Sequence, residues 1–370
     1  MHIIQVKTSA ELKKFISLPY KLYKNDPVWV PPLISEVSKQ FDRKKNPTLE
    51  HCEYALFILE KDREIVGRIA AFTDSIALKE WNENVGLFGY FECIDDNKAA
   101  NAILDAAAGW LREKGMRIMR GPWSFVSQEW GLVIEGFKPS PTVMAPYNPE
   151  FYIKHITGYG LEKVKDLLVY YISPGDGYKI PGRILTQTDN IAKRFKIRTR
   201  ELNMHDYDNE LSRVIELSNK SLADNWGYTQ VTREEAEAIG AELKRVLHPK
   251  GVIFAEDSNG KTIGFAIAIP DINSLIKNLG GSLLPFGWLK VLLGLPRLKR
   301  YRLFALGILP EYHGKGIDSL LYRALYEALY SPDLWLEINY VLEDNTPMNN
   351  AIIKLDARIL RRYRIYQKDI

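Results

Sequence analysis

Cysteine is scarce: Cys52 and Cys93 are the only two among 370 residues. Two thiols cannot build a disulfide framework and these show no metal-ligand spacing, so buried structural cysteines in a reducing compartment are expected, without a metal site. Long apolar runs are lacking as well. No stretch reaches the roughly 18 consecutive apolar residues that cross a bilayer, and the nearest approach, residues 283–296, is broken by Pro285, Gly287, Lys290 and Gly294. Residues 1–8 show no basic stretch followed by an apolar one, so no secretory signal and a cytoplasmic location are expected. An excess of one charge is also missing. The 50 Lys and Arg stand against 46 Asp and Glu, a net charge of +4, too mild a surplus to argue for a nucleic-acid partner. What is present is the composition of a globular chain, 46% apolar and 26% charged, with a length that favours two domains at roughly 100–200 residues each.

Periodicity orders the first half as a helix opening after Thr8 and Ser9, strands at 54–60, 65–72 and 86–94, a helix at 99–114, and strands at 116–120 and 130–135. A helix after Asn148 and Pro149 and a strand at 165–172 close it. The turn cluster Ser173-Pro174-Gly175-Asp176-Gly177 then marks a linker. The second half repeats the order, with strands at 197–202, 251–256, 262–269, 302–308, 334–341 and 359–366 and helices at 208–221, 317–330 and 348–355. Gly67 and Gly264 are 197 positions apart, as are Asn148 and Asn345; two equal offsets with one order of elements argue for a duplication.

The sharpest local signal is Leu306-Gly307-Ile308-Leu309-Pro310-Glu311-Tyr312-His313-Gly314-Lys315-Gly316-Ile317-Asp318-Ser319. An apolar strand enters a glycine turn that opens a helix, which aims backbone N–H groups and the positive end of the helix dipole at one point, a ready phosphate site. Gly314 and Gly316 allow close approach and Lys315 supplies a cation. Here the chain resembles the GNAT superfamily of acyl-CoA N-acyltransferases, whose Gln/Arg-x-x-Gly-x-Gly/Ala loop wraps the coenzyme A pyrophosphate and is matched by residues 313–318. The resemblance implies a mixed-sheet α/β fold with two GNAT-like domains in tandem: residues 1–175 without a phosphate loop, and residues 176–370 with the candidate coenzyme A loop. It implies acetyl-CoA or another acyl-CoA as donor, bound through Ile308, Leu309, His313, Gly314, Lys315, Gly316, Ile317, Asp318, Ser319 and, at the later helix, Asn345. Three positions depart from the pattern. His313 replaces Gln or Arg, Asp318 puts a carboxylate where phosphate charge would sit, and Ile352 stands where many members carry a thiolate-protonating tyrosine. In the first half Ile94-Asp95-Asp96-Asn97 replaces the loop altogether.

Amine acylation needs a base for the attacking nitrogen and a proton for the departing thiolate. Glu337, within the strand Leu334-Trp335-Leu336-Glu337-Ile338-Asn339-Tyr340, is the candidate base, against a reading as a merely wetted strand face; Tyr340 is the candidate acid. Asn225, Trp226 and Tyr228 either border an acceptor site or form a helix end with two packed aromatics, and Asp271 either meets an acceptor ammonium or begins a turn. The loop from Trp123 to Trp130, with Ser124, Gln128 and Glu129, either reaches toward a pocket or is a surface loop anchored by its tryptophans. Residues 274–302 hold Lys277, Lys290, Arg297, Lys299, Arg300 and Arg302 and no acid, suiting an acyl lid, a peripheral membrane contact or a packed hairpin. The function expected is acyl transfer to a small-molecule or peptide amine by direct attack. Two alternatives stand beside it: a non-catalytic acyl-CoA or ligand-binding protein, and an aminoacyl-tRNA-dependent transferase suggested by 299–302 and by Arg358, Arg361, Arg362 and Arg364.

Overall fold

In the computed structural model of the chain, residues 1–125 and 129–370 are described; Gln128 lies outside them. Thirteen strands are present among them: β1 His2–Gln5, β2 Cys52–Lys61, β3 Glu64–Asp74, β4 Val85–Cys93, β5 Ile118–Gly121, β6 Leu132–Glu135, β7 Glu162–Ile172, β8 Arg198–Glu201, β9 Val252–Glu256, β10 Thr262–Pro270, β11 Arg300–Ile308, β12 Trp335–Leu342 and β13 Arg358–Asp369. The helices are α1 Ser9–Leu22, α2 Ile34–Gln40, α3 Ser75–Trp81, α4 Asn97–Glu113, α5 Tyr152–Gly158, α6 Gly182–Phe195, α7 Tyr207–Ser221, α8 Arg233–Leu243, α9 Asn273–Ile276, α10 Gly287–Gly294, α11 Ile317–Leu329 and α12 Thr346–Lys354. Two compact units result. Unit 1 comprises Met1–Leu167, Asn273–Val291 and Arg361–Ile370; unit 2 comprises Leu168–Ile272 and Leu292–Leu360. The chain first passes from one to the other a few residues before the expected linker, and twice returns to unit 1 afterwards.

Unit 1 is a sheet in the order β1-β2-β3-β4-β5-β13, with β6 also pairing β13. Thr8 caps α1 in the reciprocal box its sequence suggests, accepting from the Glu11 N–H while Glu11 accepts from the Thr8 N–H. α4 buries Ala99, Ile103, Leu104, Ala107, Ala108 and Leu111, the helical spacing of one apolar stripe, against the sheet. β4 and β5 run parallel from Val85/Ile118 to Leu87/Arg120, and then part. The gap is closed by the chain itself: a Cβ on Gly89 would lie 1.5 Å from the Trp123 carbonyl oxygen, so glycine is what lets the loop after β5 run against β4. The last strand of the chain completes this unit. Tyr366 pairs with Gly121 and Arg364 with Leu132, and the Arg364 guanidinium grips the fully buried Asp166 at 2.7 and 2.9 Å.

Unit 2 repeats the plan. β8, β9, β10 and β11 are antiparallel neighbours and β12 joins β11 in parallel; α11 and α6 cover one face, burying Ile184, Ile317, Leu321, Leu325 and Leu329 with Leu336 and Ile338 of β12. The repeat holds at one of the two equal offsets: Gly67 pairs with Cys93, the last residue of β4, and Gly264 with Ile308, the last of β11. Both fourth strands, β4 and β11, also carry a bulge, opposite Ile69 in unit 1 and at Phe304 in unit 2. The two asparagines differ: Asn345 caps α12 through the Met348 N–H, whereas Asn148 accepts from the Val133 N–H on β6.

Candidate active site

An extra residue in one strand bends it away from its neighbour. In unit 2 this residue is Phe304, since Ala268 pairs with Leu303 and Ile267 with Ala305. The parallel ladder between β11 and β12 ends at the same level, running from Arg300/Trp335 to Leu303/Ile338, while β11 continues to Ile308 and β12 to Leu342. The two strands thus part as a wedge.

At the far end of β11 lies the glycine loop. Leu309 is buried and spends its N–H on the Ile263 carbonyl at 2.9 Å; a 3-10 turn follows, with Tyr312 N–H to Leu309 and His313 N–H to Pro310. Gly314 and Gly316 adopt φ of 72° and 77°, the left-handed region that glycine enters without cost. Gly316 caps α11, and no side chain fills the cap. The side chains expected to face an anion are engaged nearby: His313 Nε2 meets the Ile308 carbonyl at 2.9 Å, and Lys315 Nζ donates to the Glu311 carbonyl at 2.9 Å over the Tyr312 ring. Ile317 and Ser319 are buried in the first turn. Asp318 turns its carboxylate back onto that turn. Burial pushes its carboxyl above the usual range, while the Ser319 N–H and its own N–H pull it down.

The other expected residues collect at the base of the wedge. Glu337 is fully buried, and far from wet: its Oε1 accepts from Arg300 Nη2 at 2.7 Å and from the Trp335 indole at 3.0 Å. Arg300 Nε reaches the buried Asp271 at 3.1 Å, so Asp271 and Glu337 share one guanidinium. Arg302, in register with Glu337 and wholly buried, places its guanidinium 5.2 Å from the Tyr340 ring. The basic residues that suggested a tRNA surface are therefore largely consumed inside: Arg300 and Arg302 here, and in unit 1 Arg361 on the Gly136 carbonyl and Arg362 and Arg364 on Asp166.

Asn225, Trp226 and Tyr228 lie in the half-buried turn after α7, where Tyr228 donates to Asn219 Oδ1 at 2.8 Å. Asn345 caps α12, and Ile352 lies fully buried in the core of unit 2. One residue was missed. Asn339 lies on β12 two positions beyond Glu337, past the last rung of the ladder; it is buried, and neither its Nδ2 nor its Oδ1 has a partner among the described residues. A buried carboxamide left unsatisfied is costly. Its sequence signal is an amide amid the strand-forming Trp335, Ile338, Tyr340 and Val341, where asparagine is disfavoured.

In unit 1 the corresponding helix opening is closed. Asp96 caps α4 by accepting from Lys98 and Ala99 N–H at 2.9 and 3.2 Å and is paired with Lys61 at 3.0 Å, leaving no opening for a phosphate. One group of possible metal donors comes together among the described residues, His51, Cys52 and Asp74, but Asp74 is already occupied in capping Ile76 and Ala77.

A duplicated sheet with a bulged fourth strand, a parted fourth pair and a glycine loop opening a helix is the arrangement expected of the GNAT fold, and the solved structures agree. The tandem GNAT protein from the clavulanic acid biosynthesis pathway superposes with a TM-score of 0.57 at 11% identity, covering 100% of this chain and 98% of that one. The chain thus has the GNAT fold, and its sequence places it in the family of two curated bacterial proteins. By sequence it is 33% identical over 368 residues to protein YghO of Escherichia coli (strain K12), covering 97% of this chain and 93% of YghO. It is 31% identical over 378 residues to the bacterial ceramide synthase of Caulobacter vibrioides (strain NA1000 / CB15N), covering 100% and 97%. No family model matches the chain.

Proposed function

We propose that the chain is an acyl-CoA-dependent N-acyltransferase that joins a fatty acyl group to a long-chain amine. The observation that carries this is the wedge between β11 and β12, which opens at Phe304 and Asn339 and leads along β11 to the uncapped start of α11. From Arg302 to Ile308 is about 20 Å of extended strand at about 3.3 Å per residue, an extended track for a pantetheine arm whose phosphates sit at Gly314 and Gly316. The amine nitrogen attacks the thioester carbonyl, the C–S bond breaks, the nitrogen loses a proton and the thiolate gains one. Glu337 takes the first proton, with Arg300 and Asp271 fixing its place. Tyr340 supplies the second, its ring lying 5.2 Å from the Arg302 guanidinium. Asn339 donates its amide N–H to the carbonyl oxygen as charge develops there.

A lipid acceptor is supported by the name of the Caulobacter relative, since a ceramide is the fatty amide of a long-chain amino alcohol, and by the surface of residues 283–294. Leu284, Phe286, Trp288, Leu289, Leu292 and Leu293 are 40–79% exposed there, beside Lys290 and with no acid from 274 to 302. Such a segment suits the interface of an anionic membrane; among the described residues no helix is long and apolar enough to cross one.

Release of free thiol from acetyl-CoA and palmitoyl-CoA in the presence of a panel of amines, sphinganine among them, tests the proposal. Turnover with a long-chain amine is expected; no thiol release with any pair overturns it. Glu337→Gln should lower kcat at least 100-fold with coenzyme A affinity intact, and unchanged turnover removes Glu337 as base. A second reading, a non-catalytic acyl-CoA-binding protein, is favoured by Asp318 lying on the helix donors and by Ile352 in the core; coenzyme binding without turnover selects it.

A further inference from the structure

Unit 1, closed to phosphate, encloses a cavity of about 240 Å³. Six of its walls are aromatic: Tyr20, Trp29, Tyr90, Phe91, Trp123 and Tyr147. The charged groups of its described lining are Glu92, Glu129 and Arg68, two carboxylates against one guanidinium. Glu92 is placed there by the bulge of β4, where Tyr90 takes a φ of 52° and Glu92 comes into register with Arg68.

The two oxygens of Glu92 are unequally served. Oε2 accepts from both the Tyr23 and the Tyr152 hydroxyl, the latter at 3.0 Å. Oε1 has Arg68 Nη2, at the outer limit of a hydrogen bond, 3.5 Å. Arg68 is drawn the other way, its Nη1 donating to the Phe15 carbonyl at 2.9 Å and its guanidinium lying 5.0 Å from the Phe15 ring. Its Nε is buried with no acceptor among the described residues. The cavity wall therefore carries an under-used carboxylate oxygen and a guanidinium with an unsatisfied N–H. Burial also pushes the Glu92 carboxyl up, which an arriving cation would reverse.

We propose that this cavity is a binding site for the head group of an amino alcohol. Its ammonium donates to Glu92 Oε1 within the aromatic walls, which add cation–π attraction, and its hydroxyl oxygen accepts from Arg68. At about 240 Å³ the space is below the roughly 300–1,000 Å³ that encloses a drug-sized ligand, so it takes a head group and not a whole lipid. This is a site of unit 1's own, distinct from the reacting centre at Glu337, so the inference goes beyond the N-acyltransferase reading: the amino alcohol held here is not the nitrogen that is acylated.

The test is equilibrium binding by calorimetry on the full chain without any acyl donor, with 2-aminooctan-1-ol as probe and octane-1,2-diol as its uncharged counterpart. The amino alcohol is expected to bind at least tenfold more tightly than the diol, and Glu92→Gln to abolish that preference while coenzyme A binding is retained. Equal affinity for the two probes, or a preference that survives in a folded Glu92→Gln chain, overturns the site. The two-probe comparison on the unaltered protein stands even where the variant fails to fold. Absence of thiol release with amine binding intact would remove the acyltransferase reading alone, and thiol release with no amine preference would remove this site alone.

Discussion

At the start of α11 the backbone N–H groups already face a carboxylate of their own chain. Two unit charges about 5 Å apart repel by about 3 kcal/mol at an effective dielectric of about 20, so Asp318 opposes a phosphate at the same donors. Asp318→Asn is expected to tighten coenzyme A binding at least tenfold at pH 8, measured by calorimetry. The sign with pH follows from burial, which raises the carboxyl above its ordinary 3.8. Asp318 loses its charge at a higher pH than a free aspartate, so the gap between wild type and variant narrows as pH falls. By the same linkage, the raised group favours the folded state below its unfolded value and loses that contribution as pH rises through its folded value. The loop was legible in the sequence because two glycines and a lysine are neighbours along the chain. The Asp271–Arg300–Glu337 arrangement was not, because three strands must pair before those residues meet, and periodicity shows that a residue faces inward without showing what it meets.

Single elements carry two further expectations. At Gly316 a Cβ would lie 2.6 Å from the Ile191 Cδ1, at a φ of 77°; Gly316→Ala is expected to destabilise unit 2 by about 1–2 kcal/mol, seen as a lower melting temperature, and to weaken coenzyme A binding. In the segment 283–294, burying one Leu or Phe side chain is worth about 1.5–3 kcal/mol. The pair Leu284→Ser and Phe286→Ser should therefore cut co-sedimentation with phosphatidylglycerol vesicles at least tenfold without altering the melting temperature; unchanged sedimentation would remove the membrane contact. Strands and the long helices were readable from their periods, most closely Ile317–Leu329 and Thr262–Pro270. Gly182–Phe195 escaped although Ile184, Thr188, Ile191 and Phe195 recur at helical spacing, because the turn-forming residues 173–181 precede it without a break. The short helices α2, α3 and α9 are fixed by contacts and not by a pattern of their own.

For the whole molecule, residues 273–291 and 361–370 belong to unit 1 although they come from the second half of the sequence. A chain ending at residue 175 lacks β13, the strand that pairs β5 and β6 and carries the arginines satisfying the buried Asp166. It is expected to remain unfolded or molten, without a cooperative thermal transition, because β5 and β6 lose their neighbour and the buried Asp166 loses both arginines while keeping Lys163. A duplication was legible from two equal offsets, whereas the exchange of segments was not, since a strand period says nothing of which sheet receives it.

The placement of β13 also sets an order of assembly during synthesis. Domains ordinarily fold as they emerge, the first-made one first. Here every residue of unit 2 is polymerised before Arg361–Ile370, so unit 1, begun first, waits with its sheet incomplete until unit 2 has been made. The unit that is begun first is thus the last whose sheet can close.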